Sequence, residues 1–256
     1  MIKGILLDLS GTLHVGDTPI PGAVSAVRRL QKVGIPLRCV TNTSRKTRNT
    51  LHHDLGRMEF DIALEQIFTA PLAVRRYLER HGLRPYLLVH RNLVPEYQGL
   101  SRENPDAVVV GDAEDDFTYR NMNQAFRLLK GGARLLATGR TRCFEGAEGL
   151  ELDAGPFVAA LEYAAETSAI VLGKPATGFF LAAAAELGLP PSECVMVGDD
   201  AEYDIAAALA LGFKGMLVQT GKYREGDEAK IPRDFMLAKD IAAAVEELII
   251  SIDRGE

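Results

Sequence analysis

The stretch GILLDLSGT, residues 4–12, decides the fold. Its apolar run, residues 4–7, has the composition of a strand buried on both faces, which is typical of a parallel sheet covered by helices. Asp8 ends this run, and Ser10 and Gly11 follow shortly after. Ligands of open α/β sheets bind beyond the carboxyl ends of the strands, so Asp8 is a candidate functional residue.

The chain on either side continues with alternating strand and helix patterns. Residues 19–34 carry apolar side chains at helical spacing and end in Gly34, and residues 35–41 read as the next apolar strand. The same alternation returns from about residue 169 to the end of the sequence. It predicts an α/β fold with a Rossmann-like, doubly wound parallel sheet that has helices on both faces.

The middle of the chain also has both strand and helix patterns, but its loops are longer and more polar. We expect a smaller α/β domain at residues 83–167, inserted into a core domain formed by residues 1–82 and 168–256. One continuous sheet with long loops is the alternative. The strands expected in the insertion are 86–90, 107–111 and 134–139, its helices 119–132 and 156–166, and its long loops 90–106 and 139–155.

Composition narrows the function. The 256 residues are 47% hydrophobic, which is enough for one large or two small domains. A net charge of -6 argues against nucleic-acid and membrane partners and favours a small molecule. No targeting pattern and no apolar run of about 20 residues is present, so we expect a cytoplasmic protein. Three widely separated cysteines, Cys39, Cys143 and Cys194, predict buried reduced thiols.

Polar clusters follow four of the predicted strands. Asp8, the run 41–44, Lys174 and the pair 199–200 each come directly after an apolar segment. Any one of them is explained equally well as a helix cap or a solvated loop. Together they are more telling, because adjacent parallel strands bring their carboxyl ends side by side.

These residue types fit one reaction. Asp8 and Asp199 would repel each other unless a hard divalent cation lay between them, which predicts Mg²⁺. The polar groups of Thr41 and Asn42 and the ammonium of Lys174 suit a phosphate. A carboxylate can then attack phosphorus and form an aspartyl-phosphate, which water cleaves.

The same residues carry a resemblance to a known family. The run DLSGT at 8–12, Thr41-Asn42, Lys174-Pro175, and Gly198-Asp199-Asp200 with Asp204 occur in the order of the four motifs of haloacid dehalogenase-like (HAD) phosphatases. The chain resembles this family over essentially its whole length, and the insertion is similar to the α/β (C2-type) cap of subfamily IIA. The resemblance implies a Mg²⁺-dependent phosphatase acting on a small phosphorylated molecule. It is also compatible with a homodimer, since related capped enzymes often pair through the cap.

Roles carried over from the family fall on individual residues. The resemblance makes Asp8 the nucleophile and a metal ligand, with the backbone carbonyl of Ser10 and the carboxylate of Asp199 as the other protein ligands. Asp204 would not bind the metal itself but would lie next to these ligands and help to position them. Asp200 is either a helix cap or a further acid of the site. The residues implied to bind the transferring phosphoryl group are Thr41, Asn42 and Lys174.

Ser10 departs from the family pattern. Most of these phosphatases have an aspartate there, which protonates the leaving oxygen and later activates water, assistance typically worth about 10²- to 10⁴-fold. We therefore expect an enzyme that favours good leaving groups: aryl phosphates, pyrophosphate, acyl phosphates or phosphoramidates. The alternatives are a nearly inactive member that binds a phospho-ligand or a protein, and a phosphotransferase or mutase on the same scaffold.

Overall fold

The computed structural model describes residues 1–146 and 149–254. Its strands are β1 (Gly4–Asp8), β2 (His14–Val15), β3 (Thr18–Pro19), β4 (Leu37–Thr41), β5 (Ile67–Thr69), β6 (Pro85–Leu88), β7 (Ala107–Val110), β8 (Arg134–Ala137), β9 (Cys143–Gly146), β10 (Gly149–Leu152), β11 (Ile170–Val171), β12 (Cys194–Gly198), β13 (Lys214–Val218) and β14 (Met236–Ala238).

The α-helices lie between these strands. They are α1 (Ala23–Val33), α2 (Arg48–Arg57), α3 (Ala70–His81), α4 (Tyr119–Lys130), α5 (Ala154–Ala165), α6 (Thr177–Ala185), α7 (Ala207–Ala210) and α8 (Ile241–Asp253). A π-helical turn, Ala201–Ala206, leads into α7, and short 3₁₀ helices include Arg91–Tyr97. Over the described residues, none of these helices combines the length and the apolar character that crossing a membrane requires.

The chain divides into two compact units. The first comprises Met1–Thr41, Asn49–Phe68 and Lys174–Glu256, and the second comprises Asn42–Arg48 and Thr69–Gly173. Each unit has its own parallel sheet, so the alternative of one continuous sheet is wrong.

The first unit is built on a six-stranded sheet. Its strand order is β14-β13-β12-β1-β4-β5, which places β1 in the interior of the sheet. Leu7 pairs with Val197 on one side and with Cys39 on the other, both in parallel register, and all three side chains are buried. Helices α1 and α8 cover one face of the sheet through side chains such as Val27 and Leu248. The predicted Rossmann-like α/β fold is therefore confirmed.

The second unit is also a parallel sheet with helices on its faces, but it is smaller. Its four-stranded parallel sheet has the order β11-β8-β7-β6. Side chains alternate between the two faces: Val108 and Val110 point toward α4 and α5, whereas Val109 belongs to the cluster with α3 and the Arg91–Tyr97 helix. This alternation is the period of two that a sheet covered on both faces requires.

The second unit is larger than the insertion predicted at residues 83–167. It includes Asn42–Arg48, and its longer segment runs from Thr69 to Gly173, because α3 packs its side chains Val74 and Leu78 against this sheet. Its role as a cap domain stays a prediction.

One predicted strand lies in the other sheet. Residues 169–173 were expected to form a core strand that leads to Lys174, but Ile170 pairs with Leu136 and Val171 with Ala137 in the second unit. The expectation was wrong because a short run of β-branched residues looks the same in either sheet. Lys174 instead opens the connection to α6.

The loop predicted at residues 139–155 contains an antiparallel pair, β9 and β10, with Leu152 opposite Cys143. Cys143 is exposed there, so the expectation of three buried thiols holds only for Cys39 and Cys194. Alternation between strand faces explains the exposure, since Leu150 and Leu152 on β10 are exposed as well.

Candidate active site

Asp8 lies at the carboxyl end of an interior strand and is buried. The Nζ of Lys174 donates a hydrogen bond to its Oδ1 at 2.6 Å. The buried hydroxyl of Thr12 lies 3.5 Å from its Oδ2 and points its proton there. Both oxygens of the carboxylate are thus oriented by neighbouring side chains, as a positioned nucleophile requires.

Two more buried carboxylates lie close to Asp8. Asp199 follows β12, the strand next to β1, and Asp204 lies in the π-helical turn after it. One carboxylate oxygen from each of the three residues lies within 4.8 Å of the others. A Cβ on Gly198 would overlap the side chain of Asp204, so the glycine allows this close approach.

Lys174 is the buried cation among these acids. Its Nζ lies 2.6 Å from Asp8 Oδ1 and 2.7 Å from Asp204 Oδ1. Burial alone would lower the pKa of the ammonium, but the carboxylates of Asp204 and Asp8 outweigh this effect and raise it. Lys174 therefore stays charged, so that one ammonium lies among three buried carboxyl groups.

Burial of the acids appears in the pKa values of Asp199 and Asp204. Burial, reinforced by the Asp8 carboxylate, raises the pKa of Asp199 to about 7, although the backbone N–H of Lys222 opposes the shift. Burial is also the main cause that raises the pKa of Asp204, against the opposing charge of Lys174. Three buried carboxyl oxygens within 4.8 Å of one another, which resist losing their protons without a cation, fit a hard divalent metal ion.

The other predicted site residues are placed less tightly. Ser10 is exposed and forms an isolated β-bridge with His14. Thr41 is buried at the end of β4, one residue beyond Val40, which pairs with Asp8. Asn42 belongs to the second unit, where a Cβ on Gly173 would meet its Oδ1 at 2.7 Å.

Asp200 has the role of a helix cap. Its Oδ1 accepts hydrogen bonds from the backbone N–H groups of Glu202 at 3.1 Å and Tyr203 at 2.9 Å. These bonds satisfy donors at the start of the π-helical turn. Its Oδ2 lies 3.4 Å from Lys222 Nζ.

Sequence reasoning missed Thr12 and the loop after β13. In that loop the Thr220 hydroxyl donates to the Gly11 carbonyl at 2.6 Å, and the Lys222 N–H donates to Asp199 Oδ2 at 2.7 Å. A signal was present: the loop follows an apolar strand at the edge where the other site residues lie. Thr12 stands in the opening motif but was given no role of its own.

A parallel sheet with a lysine-held carboxylate at the end of β1 and two further acids after β12 defines the class of HAD-like hydrolases. Family models agree: the haloacid dehalogenase-like hydrolase model matches residues 5–101, and a HAD-hydrolase-like model matches residues 171–244. The chain belongs to the haloacid dehalogenase-like hydrolase family.

Individual relatives are similar over nearly the full length. The chain is 44% identical to human haloacid dehalogenase-like hydrolase domain-containing protein 2, over 97% of this chain and 96% of the relative. It is 41% identical to the phospholysine phosphohistidine inorganic pyrophosphate phosphatase of Danio rerio, over 97% and 94%. Likeness to these two proteins is what the D-x-S-G form of the first motif predicts, and it is confirmed.

Solved structures show the same architecture. The p-nitrophenyl phosphatase from Archaeoglobus fulgidus superposes with a TM-score of 0.89 at 25% identity, covering 96% of this chain and 99% of that one. NagD from E. coli K-12 superposes with a TM-score of 0.85 at 24% identity, covering 94% and 97%, a likeness of fold.

Proposed function

We propose that this protein is a Mg²⁺-dependent phosphatase that hydrolyses a small phosphorylated molecule through an aspartyl-phosphate on Asp8. One observation carries the proposal: three buried carboxylates, Asp8, Asp199 and Asp204, meet within 4.8 Å, and the buried ammonium of Lys174 pairs with the first and the last of them. A purely structural role is a poor explanation, since burying unbalanced charge costs free energy.

The magnesium site would use oxygen ligands of the first unit. Asp8, Asp199 and the backbone carbonyl of Ser10 are the proposed ligands, and Asp204 supports them through its contact with Lys174. When bound, the cation would favour the ionised form of the carboxylates around it and stabilise the charge that develops on the transferring phosphoryl group.

Asp8 is the proposed nucleophile. Its carboxylate attacks phosphorus while the bond from phosphorus to the leaving oxygen breaks, and that oxygen keeps the electron pair. Water then attacks the aspartyl-phosphate at phosphorus, which releases inorganic phosphate and restores the carboxylate. Lys174 orients Asp8 through the 2.6 Å hydrogen bond. Together with Thr41 and Asn42, it is proposed to bind the phosphoryl oxygens.

Ser10 limits which substrates react well. A serine hydroxyl is too weak an acid to protonate a poor leaving group, so we propose a preference for leaving groups that depart as stable anions. The names of similar proteins support this class of substrate, since one is a pyrophosphate phosphatase and another a p-nitrophenyl phosphatase. The negative net charge supports a small substrate over a nucleic acid. A cytoplasmic location and a homodimer remain predictions.

The test measures release of inorganic phosphate from p-nitrophenyl phosphate and from pyrophosphate, with Mg²⁺ and with EDTA. We expect turnover by the wild type with Mg²⁺ only, and loss of at least about 10³-fold in Asp8→Asn, since an amide is not a nucleophile for phosphorus. Asp61→Asn makes the same chemical change at an exposed carboxylate of the same unit and is the matched control.

Two results would contradict the proposal. Turnover that persists in EDTA would show that catalysis does not need the metal. Equal turnover in Asp8→Asn would show that Asp8 is not the nucleophile. No turnover by a folded wild type that binds Mg²⁺ would favour the phospho-ligand-binding alternative.

A further inference from the structure

The loop that follows β13 contacts both sides of the candidate metal site. Thr220, Gly221 and Lys222 form it, and we refer to them as the 220–222 loop. The Thr220 hydroxyl donates to the carbonyl of Gly11 at 2.6 Å, and the Lys222 N–H donates to Oδ2 of Asp199 at 2.7 Å. All of these residues belong to the first unit.

Two glycines let the backbones meet at this point. Gly221 has a φ of 60° and Gly11 a φ of 85°, values that favour glycine. A Cβ on Gly221 would overlap the Cα of Gly11 and lie 2.8 Å from its carbonyl oxygen. A Cβ on either glycine would also overlap the Asp199 carboxylate. The loop is therefore packed directly on the segment that follows Asp8, with the Asp199 carboxylate against both glycines.

We propose that the 220–222 loop is a positioning device that sets the separation of two magnesium ligands, the Ser10 carbonyl and the Asp199 carboxylate. The inference rests on the magnesium site proposed above. Thr220 holds the peptide next to the Ser10 carbonyl, and Lys222 holds one oxygen of Asp199. One loop thus connects a ligand that follows β1 with a ligand that follows β12.

The physical effect is on the rotation of the ligand groups. A carboxylate that accepts a short N–H bond on one oxygen cannot turn freely, so its other oxygen is presented to a cation in one direction. The Gly11 carbonyl that accepts the Thr220 hydroxyl belongs to the peptide after the Ser10 carbonyl, and the N–H of the Ser10–Gly11 peptide donates to the His14 carbonyl at 2.8 Å, so both peptides around Gly11 are restrained. Partners of this kind typically contribute about 10- to 100-fold to metal affinity. The backbone N–H of Lys222 is the active group here, whereas its side chain reaches Asp200 instead.

The test compares Thr220→Val, which keeps the shape but loses the hydroxyl, with Thr220→Ser, which keeps the hydroxyl. Mg²⁺ binding to the full, metal-stripped chain is measured by calorimetry, and melting is measured in EDTA. We expect Thr220→Val to weaken Mg²⁺ binding about tenfold or more and Thr220→Ser to stay within about threefold of the wild type. A merely structural role would lower the melting temperature of Thr220→Val and leave its Mg²⁺ affinity unchanged.

A second measurement follows the Lys222 amide by hydrogen exchange in the metal-free protein. It should exchange faster in Thr220→Val than in the wild type or Thr220→Ser, because the loop is no longer held on Gly11. Thr220→Ala deletes the same hydroxyl and replaces Thr220→Val should that variant not fold.

Wild type and Asp199→Asn are titrated first, which separates the two proposals. Absence of Mg²⁺ binding by the wild type would overturn the proposed function and this inference with it. Binding by the wild type that Asp199→Asn loses and Thr220→Val retains would overturn this inference alone.

Discussion

At the scale of single residues, Ser10 decides which phosphates can leave. We expect Ser10→Asp to raise kcat/KM for a simple alkyl phosphate by about 10²-fold or more, because the new carboxyl group can protonate a poor leaving oxygen. Turnover of p-nitrophenyl phosphate should change far less, since nitrophenolate departs without a proton.

The comparison needs Ser10→Asn as its matched control. Asparagine has nearly the size of aspartate but no acidic proton, so it should leave the alkyl phosphate unreactive. An equal gain in both variants would point to a change of shape and would refute the acid-base explanation. The Ser10 carbonyl, a proposed metal ligand, is kept in every variant.

Residue identity also explains what sequence reasoning found at the site. Asp8 and Asp199 were predictable because each lies at the end of a fully buried strand and both fit one chemistry, whereas Lys174 was identified although the strand before it lies in the other sheet. Thr12 and the 220–222 loop could not be predicted, since their hydroxyl and backbone N–H groups reach the site through the three-dimensional fold, which the sequence does not show directly. Asp200 was ambiguous because an aspartate beside a helix start is explained by capping and by catalysis alike.

At the scale of elements, the Arg91–Tyr97 helix contains a buried polar group that lowers the stability of the fold and that a mutation can remove. Tyr97 is fully buried against α3 and the second sheet, and its hydroxyl has no hydrogen-bond partner within the described part of the chain. Burial raises the pKa of this phenol, so the group stays neutral. A buried hydroxyl without a partner costs about 1–3 kcal/mol.

We therefore expect Tyr97→Phe to stabilise the second unit by about 1 kcal/mol, which corresponds to a rise of a few degrees in melting temperature. Tyr86→Phe is the control, since the Tyr86 hydroxyl donates to the Asn121 carbonyl at 3.4 Å and gains nothing from removal. A Tyr97→Phe variant that melts below the wild type would show that the hydroxyl has a partner in solution.

Some strands could be predicted from the sequence pattern and others could not. The strands β1, β4 and β12 were predictable because they are mainly apolar runs of five residues, whereas β5 and β14, with three residues each, were not predicted. The sheet to which β11 belongs was not, because its two residues pair with β8 through backbone bonds that any apolar pair could make. The β9–β10 pair was missed inside a polar segment, where its alternation is only four residues long.

At the scale of the whole molecule, the site links stability to pH. The pKa of Asp199 is raised from 3.8 to about 7 in the folded chain, so the fold binds this proton more tightly than the unfolded chain does. Its stabilising contribution is complete below about pH 4 and is lost as the pH rises through 7. Asp199→Asn has no such proton to lose.

We expect metal-free wild type to lose free energy of unfolding relative to Asp199→Asn between pH 5 and pH 8. Urea unfolding in EDTA, followed by circular dichroism, gives the difference at each pH. Mg²⁺ should restore the wild type at pH 8 and have little effect on the variant. Parallel pH curves for the two proteins would contradict the raised pKa.

The order of strands in the first sheet has a consequence for synthesis on the ribosome. Gly4 pairs with Cys194, whereas every strand of the second sheet lies between Pro85 and Val171. A nascent chain that has reached residue 173 already contains all of the second unit, but β1 still lacks β12 beside it. Synthesis of the first unit therefore starts before and ends after that of the second. During this interval β1 can pair with β4 but not with β12, while all residues of the second unit are already available to fold.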